Sequence, residues 1–366
     1  MSTSRSNRSC SHPLCSHSPC LADLGWDRDW ANALAATAPS GEPGRVARVD
    51  LGFCTVLTTA GQQRASAARG TQLAVGDWVA LIPCPGAGGW SLTLLPRRTA
   101  IVRRSAGQDP HPQILAANVD TLLVLVSLGG RISPRLIDRY VALAWQSGVS
   151  PVVCLTKADL ASGDTVARVM HRMASAAPGV PVHAVSARTG ANLAALDGYL
   201  GNASTVALLG PSGAGKSTLV NRLAGTDLAT REIRADGRGR HTTTHRELVP
   251  LPAGAVLVDT PGLREVGLWQ ADEGLERAFS DITGLLADCR FTNCSHTSEP
   301  GCALLAAMRD GRVAQDRVAS WRKLGRELDR LAARDDPKLA DRLRAERRRS
   351  HREQAQARKH WRKPSR

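Results

Sequence analysis

The apolar run Thr205–Leu209 leads directly into Gly210-Pro211-Ser212-Gly213-Ala214-Gly215-Lys216-Ser217, and a helical stretch, Ser217–Ala224, comes next. No other segment restricts the possible folds so tightly. A strand, a turn matching G-x-x-x-x-G-K-[ST] and a helix together make a phosphate-binding loop. The glycines allow a tight turn whose backbone N–H groups face phosphate oxygens, and the helix N-terminus adds its partial positive charge. Gly210 through Thr218 form the expected cradle. Lys216 is expected to reach the β- and γ-phosphates and take part in catalysis, and Ser217 to ligate Mg²⁺.

The neighbouring sequence has the rhythm of a parallel α/β sheet. Thr121–Ser127 (TLLVLVS) is continuously apolar, as a strand buried on both faces requires. Ser133-Pro134 then opens a helix, a cap residue followed by proline at the first helical position, and Gly148 closes it. Pro151–Leu155, Val182–Ser186 and Ala255–Asp259 read as further strands with helical segments between them.

The last of these strands ends in Asp259-Thr260-Pro261-Gly262, with forty-two residues between Lys216 and Asp259. An Asp at a strand tip suits a second Mg²⁺ contact, often through water, and Gly262 can offer its N–H to a γ-phosphate. Between the two motifs, Arg238-Gly-Arg-His241-Thr-Thr243-Thr244-His245 is polar and glycine-containing. It suits a switch loop in which one hydroxyl completes the Mg²⁺ shell when a γ-phosphate is present. Thr243 is the expected ligand, with Thr244 nearly as good.

Base choice is carried elsewhere. Thr156-Lys157-Ala158-Asp159 follows the strand Pro151–Leu155 and is similar to the guanine motif N-K-x-D. A carboxylate at Asp159 can accept two hydrogen bonds from guanine N1–H and N2–H₂, a pair that adenine lacks. Lys157 would lay its aliphatic stem over the base. Ser186-Ala187, at the end of the next strand, fits a loop that supports the guanine edge through backbone N–H groups. Together these favour GTP over ATP.

Their order is unusual. The base-reading motifs precede the phosphate motifs, whereas most GTPases have the reverse. Each motif still lies at the C-terminal end of a strand, where ligands bind in such sheets. A permuted connection keeps the same three-dimensional site. It also attaches the D-T-P-G loop, through about one helix, to the C-terminal domain, so nucleotide state could be transmitted to that domain directly.

The C-terminal domain carries Cys289-x4-Cys294-x-His296-x5-Cys302. Three thiols and an imidazole fit a closed, structural tetrahedral zinc site. Cys10, Cys15, Cys20, His12 and His17 in the N-terminal segment fit free thiols better than a second metal site, because no structured sequence flanks them.

Before the sheet, residues 41–108 read as about five short strands broken by Gly and Pro clusters, including Val46–Val49, Phe53–Leu57 and Trp78–Ile82. That spacing fits a small β-barrel of the OB type. The expected layout is a flexible tail over residues 1–40, the barrel over 41–108 and an α/β domain over 109–270. A mainly helical zinc domain over 271–335 and a basic extension over 336–366 complete it.

Net charge of +15 favours polyanionic partners, nucleic acid or an anionic membrane surface, although arginine is abundant throughout the chain. Lys338–Arg366 alone holds twelve Lys+Arg against three Asp+Glu, with Trp361 nearby, and points to RNA phosphates. No run approaches the roughly 18–20 apolar residues of a membrane span. No apolar leader opens the sequence, so a cytoplasmic protein is expected.

The combination resembles the ribosome small-subunit-dependent GTPase family, the circularly permuted RsgA/YjeQ type, from about Gly44 to about Ala332. The resemblance rests on the barrel, T-K-A-D, S-A, G-P-S-G-A-G-K-S-T, G-R-H-T-T-T, D-T-P-G and the C-x4-C-x-H-x5-C cluster. It implies an OB fold, a permuted P-loop GTPase domain and a zinc domain that dock on the small (30S) subunit and its 16S rRNA during late maturation. GTP hydrolysis would be stimulated there. GTP/GDP, Mg²⁺ and one structural Zn²⁺ are the implied cofactors. Separately, no membrane partner is expected, and a monomer is expected because nothing in the sequence suggests an obligate dimer.

Two departures from the usual GTPase pattern stand out. Thr156 replaces the usual Asn and removes an amide that braces the base loop, while guanine preference is expected to survive through Asp159. Leu263 stands where many GTPases place a water-orienting Gln, so intrinsic hydrolysis should be slow, and the resemblance makes His241 the candidate substitute. The rival reading is an RNA-binding assembly module in which GTP only locks a conformation.

Overall fold

The computed structural model describes residues 20–50, 52–68, 70–84, 89–104, 112–130, 132–201, 203–225, 247–259, 272–342, 344, 345 and 348. His241, Thr243, Thr244, Gly262 and Leu263 lie outside them, as do His12, His17, Cys10, Cys15 and the chain beyond residue 348.

The first described residues correct the expectation of a flexible tail. A 3₁₀ turn, Leu21–Leu24, leads into α1 (Arg28–Thr37), capped by Asp27, whose carboxylate accepts the Trp30 N–H at 3.0 Å. Leu21, Leu24 and Trp30 are buried, and Trp26 meets Trp78 edge-on with ring centroids 4.8 Å apart. Arg98 fixes the cap by two 2.7 Å bonds to Asp27. Leu21, Leu24 and Trp30 join one buried cluster with Trp78 of the barrel.

The barrel comprises β1 (Glu42–Val49), β2 (Cys54–Thr58), β3 (Gly61–Ala67), β4 (Trp78–Cys84) and β5 (Gly89–Leu94). β1 pairs with β2 and β4, β2 with β3, β3 in parallel with β5, and β5 with β4, so the five strands close on themselves. Val46, Cys54, Val56, Val79 and Leu81 fill the interior. A separate ribbon, β6 (Ala100–Arg104) with β7 (Pro112–Ala117), straddles the boundary expected at 108/109.

The α/β domain continues as β8 (Thr121–Ser127), α2 (Pro134–Gln146), β9 (Ser150–Thr156), α3 (Gly163–Ala176), β10 (Val182–Ala184), β11 (Thr205–Leu209), α4 (Lys216–Ala224), β12 (Glu247–Pro250) and β13 (Val256–Asp259). Strand order is β10-β9-β8-β11-β13-β12. The first five are parallel, and β12 runs antiparallel to β13, so the sheet is mixed rather than wholly parallel. β11, which opens the phosphate loop, lies centrally between a strand that precedes it in the chain and one that comes after it. This is the permuted order in three dimensions.

β8 shows why its sequence is apolar throughout. Leu122, Val124 and Val126 join the core on one face of the sheet, and Leu123 and Leu125 the core on the other. Barrel and sheet are continuous through β1 and β12, where Arg48 pairs with Glu247, and they meet again at the end of β11 away from the phosphate loop. There the buried Arg45 donates to Thr205 Oγ1 at 2.7 Å and to the carbonyls of Leu24, Gly76 and Asn118. Burial pushes its pKa down to about 10, against the pull of Asp120 and Asp77.

The helical C-terminal part consists of α5 (Asp272–Ala278), α6 (Ser280–Leu286), α7 (Ala303–Arg309) and α8 (Gln315–Asp335). Val318, Leu324 and Leu328 are buried along one stripe of α8, at the spacing of an amphipathic helix. α5 packs against α2 so closely that a Cβ on Gly274 would lie 2.3 Å from the Ala142 carbonyl oxygen.

Candidate nucleotide site and metal cluster

The phosphate loop is built by two left-handed glycines, Gly213 at φ +77° and Gly215 at φ +88°, which turn the chain from β11 into α4. Ala214 between them is buried, whereas Pro211, Ser212, Gly213, Ser217 and Thr218 are exposed. Lys216 begins the helix and folds its Nζ back over the loop, donating to the carbonyls of Gly210 and, at 2.9 Å, Pro211. A cationic amine is thus held above a turn lined by amide N–H groups, a setting that favours a polyanion.

The base-reading candidates meet this loop from the neighbouring strand ends. Thr156, fully inside at the end of β9, donates from Oγ1 to the Ala214 carbonyl at 2.6 Å. The hydroxyl therefore supplies a brace between the two loops, in place of the amide whose loss the sequence suggested. Lys157 takes a left-handed backbone, φ +58°, and its Cε passes 4.0 Å from where a Cβ on Gly215 would sit. Ala158 N–H bonds to the Val185 carbonyl at 3.1 Å, pinning the loop to the next strand.

Asp159 is held from one side by buried Ser186, whose Oγ donates to Oδ1 at 2.5 Å. From the other side Arg188 donates to Oδ2, through Nε at 3.1 Å and through Nη2. The Ser186 and Arg188 hydrogen bonds hold the carboxyl below its ordinary range, so it is an anion and an acceptor at neutral pH. Ser186 was expected in a loop that offers backbone N–H groups to the base. Its own N–H instead bonds the Ala191 carbonyl at 3.0 Å, and its hydroxyl serves Asp159. Thr156, Lys157, Asp159, Leu160, Ala187, Arg188, Gly215 and Thr218 line one cavity of ≈ 280 Å³. The base-reading and phosphate motifs therefore share a single cleft.

Asp259 ends β13, in register beside β11, so its backbone stands at the same edge of the sheet as the phosphate loop. His241, Thr243 and Gly262 fall outside the described residues. Sequence reasoning missed Arg188; a basic side chain two residues after Ser186, at the end of the strand beside the Asp159 loop, was the available signal.

In the C-terminal part, Cys289, Cys294, His296 and Cys302 bring their ligand atoms within 4.8 Å of one another. Cys289 Sγ lies 3.5 Å from His296 Nδ1 and 3.9 Å from Cys302 Sγ, and Cys302 Sγ lies 3.6 Å from His296 Nδ1. Four ligands around a tetrahedral zinc at its usual bond lengths stand about 3.5–3.8 Å apart, so the cluster fits that ion. Cys302 also caps α7, which would tie a bound metal to the helical core.

Similarity to known proteins agrees with this arrangement. Residues 94–269 match the RsgA GTPase family. The small ribosomal subunit biogenesis GTPase RsgA of Streptomyces avermitilis is 47% identical over 348 residues, covering 92% of this chain and 91% of its own.

The chain belongs to the RsgA GTPase family. GTP hydrolysis is that family's activity, and it implies a guanine nucleotide and Mg²⁺. The RsgA fold also agrees with solved structures. YjeQ from Thermotoga maritima superposes with a TM-score of 0.60 at 24% identity, covering 78% of this chain and 98% of that one. YloQ, described as a circularly permuted GTPase, gives 0.57 at 22% identity, covering 79% and 95%. Among the described residues of this RsgA-family chain, no helix is long and apolar enough to cross a membrane.

Proposed function

We propose that this chain is a GTPase of small ribosomal subunit biogenesis, which binds GTP and Mg²⁺ in the cleft between Gly210–Thr218 and Thr156–Asp159 and hydrolyses GTP on the subunit. The observation that carries this reading is the Thr156–Ala214 hydrogen bond, which joins the base-reading loop to the phosphate loop in one cavity. Asp159 accepts the guanine edge, Lys157 covers the base, and Ser186 and Ala187 frame it. Lys216 neutralises the β- and γ-phosphates, while Ser217 and Thr243 complete the Mg²⁺ shell with Asp259 beyond. Gly262 reads the γ-phosphate, and His241 orients water in place of Leu263.

The relatives' names supply the small subunit as partner. The chain's net charge of +15 suits its 16S rRNA, with the basic stretch Lys338–Arg366 making phosphate contacts of low sequence specificity. Zinc at Cys289, Cys294, His296 and Cys302 holds the loop between α6 and α7. The protein acts in the cytoplasm as a monomer. Sedimentation of the full chain with purified ribosomal subunits tests the partner. Pelleting with small subunits, stronger with a non-hydrolysable GTP analogue than with GDP, is expected. Equal pelleting with large subunits would contradict it.

A further inference from the structure

The exposed edge of Asp159 is already engaged. Its Oδ1 is bound by a buried hydroxyl, Ser186 Oγ at 2.5 Å, and its Oδ2 by the Arg188 guanidinium through Nε and Nη2. The two partners differ in mobility. Ser186 is fully buried and its N–H and C=O are tied into the turn that ends at Ala191, whereas the Arg188 side chain is 70% exposed. Ser186 is therefore a fixed brace, and Arg188 can swing into solvent.

The chemistry of Arg188 is also specific. A guanidinium presents two adjacent N–H donors in one plane, as guanine does with N1–H and N2–H₂. Both want the same carboxylate, and Asp159 and Arg188 line the same ≈ 280 Å³ cavity. With Oδ1 committed to Ser186, the guanidinium and a guanine edge contend for the remaining acceptor sites.

We propose that Arg188 is an internal competitor for the base: it mimics the guanine edge at Asp159, so that nucleotide binding exchanges one two-donor partner for another. This rests on the reading of Asp159 as the guanine acceptor. The exchange keeps the carboxylate paired throughout, lowers net affinity for GDP and GTP, and helps the nucleotide leave by offering Asp159 a replacement. Adenine presents no matching donor pair and cannot displace Arg188.

The test is titration of the full chain with a GDP carrying a fluorescent ribose label. An exposed arginine–carboxylate pair is weak, so Arg188→Ala should bind GDP tighter by only about two- to five-fold. Because the pair is screened by salt, the gap between wild type and variant should narrow as ionic strength rises from about 0.05 to 0.5 M. Arg188→Lys, which offers a point charge without the planar fork, should fall between them. Asp159→Asn tests the underlying reading separately and should weaken GDP binding by at least about tenfold. If Asp159→Asn loses GDP binding while Arg188→Ala binds no tighter than wild type, competition is overturned and the guanine reading stands. If Asp159→Asn binds GDP as wild type does, both are overturned.

Discussion

Arg317 Nη1 lies 2.8 Å from Asp138 Oδ1, and the same guanidinium donates to both oxygens of Asp281 at 2.8 and 2.9 Å. Carbonyls of Ala176 and Ala278 take further bonds, and Phe279 lies against the guanidinium face with its centroid 4.3 Å away. One arginine of α8 thus joins α2, the end of α3, α5 and α6. Asp138 sits within the buried stripe Ile137, Tyr140, Val141 and Ala144. Removing the cation leaves that carboxylate buried without its principal partner, so Arg317→Met should destabilise the protein by about 3–5 kcal/mol in denaturant unfolding. A loss under about 1 kcal/mol would show that the network is dispensable.

The same carboxylate predicts a pH dependence. Burial pushes Asp138 up to about 6 from an ordinary 3.8, outweighing the pull of Arg317. A carboxyl whose folded pKa is raised contributes stability in full below about 4 and loses it as pH rises through about 6. Asp138→Asn lacks that titration. Between these pH values wild type should lose on the order of 1–3 kcal/mol relative to the variant. Parallel stability curves would refute the assignment.

Thr156→Val keeps the shape of the side chain and removes the bond to Ala214. It leaves a buried carbonyl in the phosphate loop without its donor, worth about 1–2 kcal/mol. GDP affinity should fall by roughly five- to twentyfold, thermal stability should drop by a few degrees, and Thr156→Ser should restore most of both. Unaltered affinity in Thr156→Val would show that the two loops hold their positions without the hydroxyl.

Zinc content offers a direct check on the C-terminal cluster. Purified wild type should carry about one zinc per chain, held by three thiolates and one imidazole. Cys289→Ser should lose it and unfold at lower temperature, with hydrogen exchange rising first across residues 289–302. Full zinc occupancy in that variant would exclude Cys289 as a ligand.

Much of the fold and the cleft was legible in the residues themselves. The continuous apolar run of β8 reports burial on both faces, and the glycine spacing of 210–215 can serve little besides a phosphate turn. Short strands between Gly and Pro clusters marked the barrel. α1 was not legible because Trp26 and Trp30 stand in polar sequence and find their partner, Trp78, about fifty residues away. Arg317 was hidden for the opposite reason. In a helix crowded with arginines, the buried one carries no local mark, since its partners lie on α2 and α6. The Thr156 brace was misjudged because residue type alone suggested a lost amide, whereas the distance to Ala214 lets a hydroxyl suffice.

Subunit gating is read out in steady-state hydrolysis of GTP and ATP by the full chain, measured with and without small ribosomal subunits. Slow GTP turnover that rises strongly only with small subunits, and no comparable use of ATP, is the predicted result. Turnover indifferent to subunits, or equal for the two nucleotides, would contradict it.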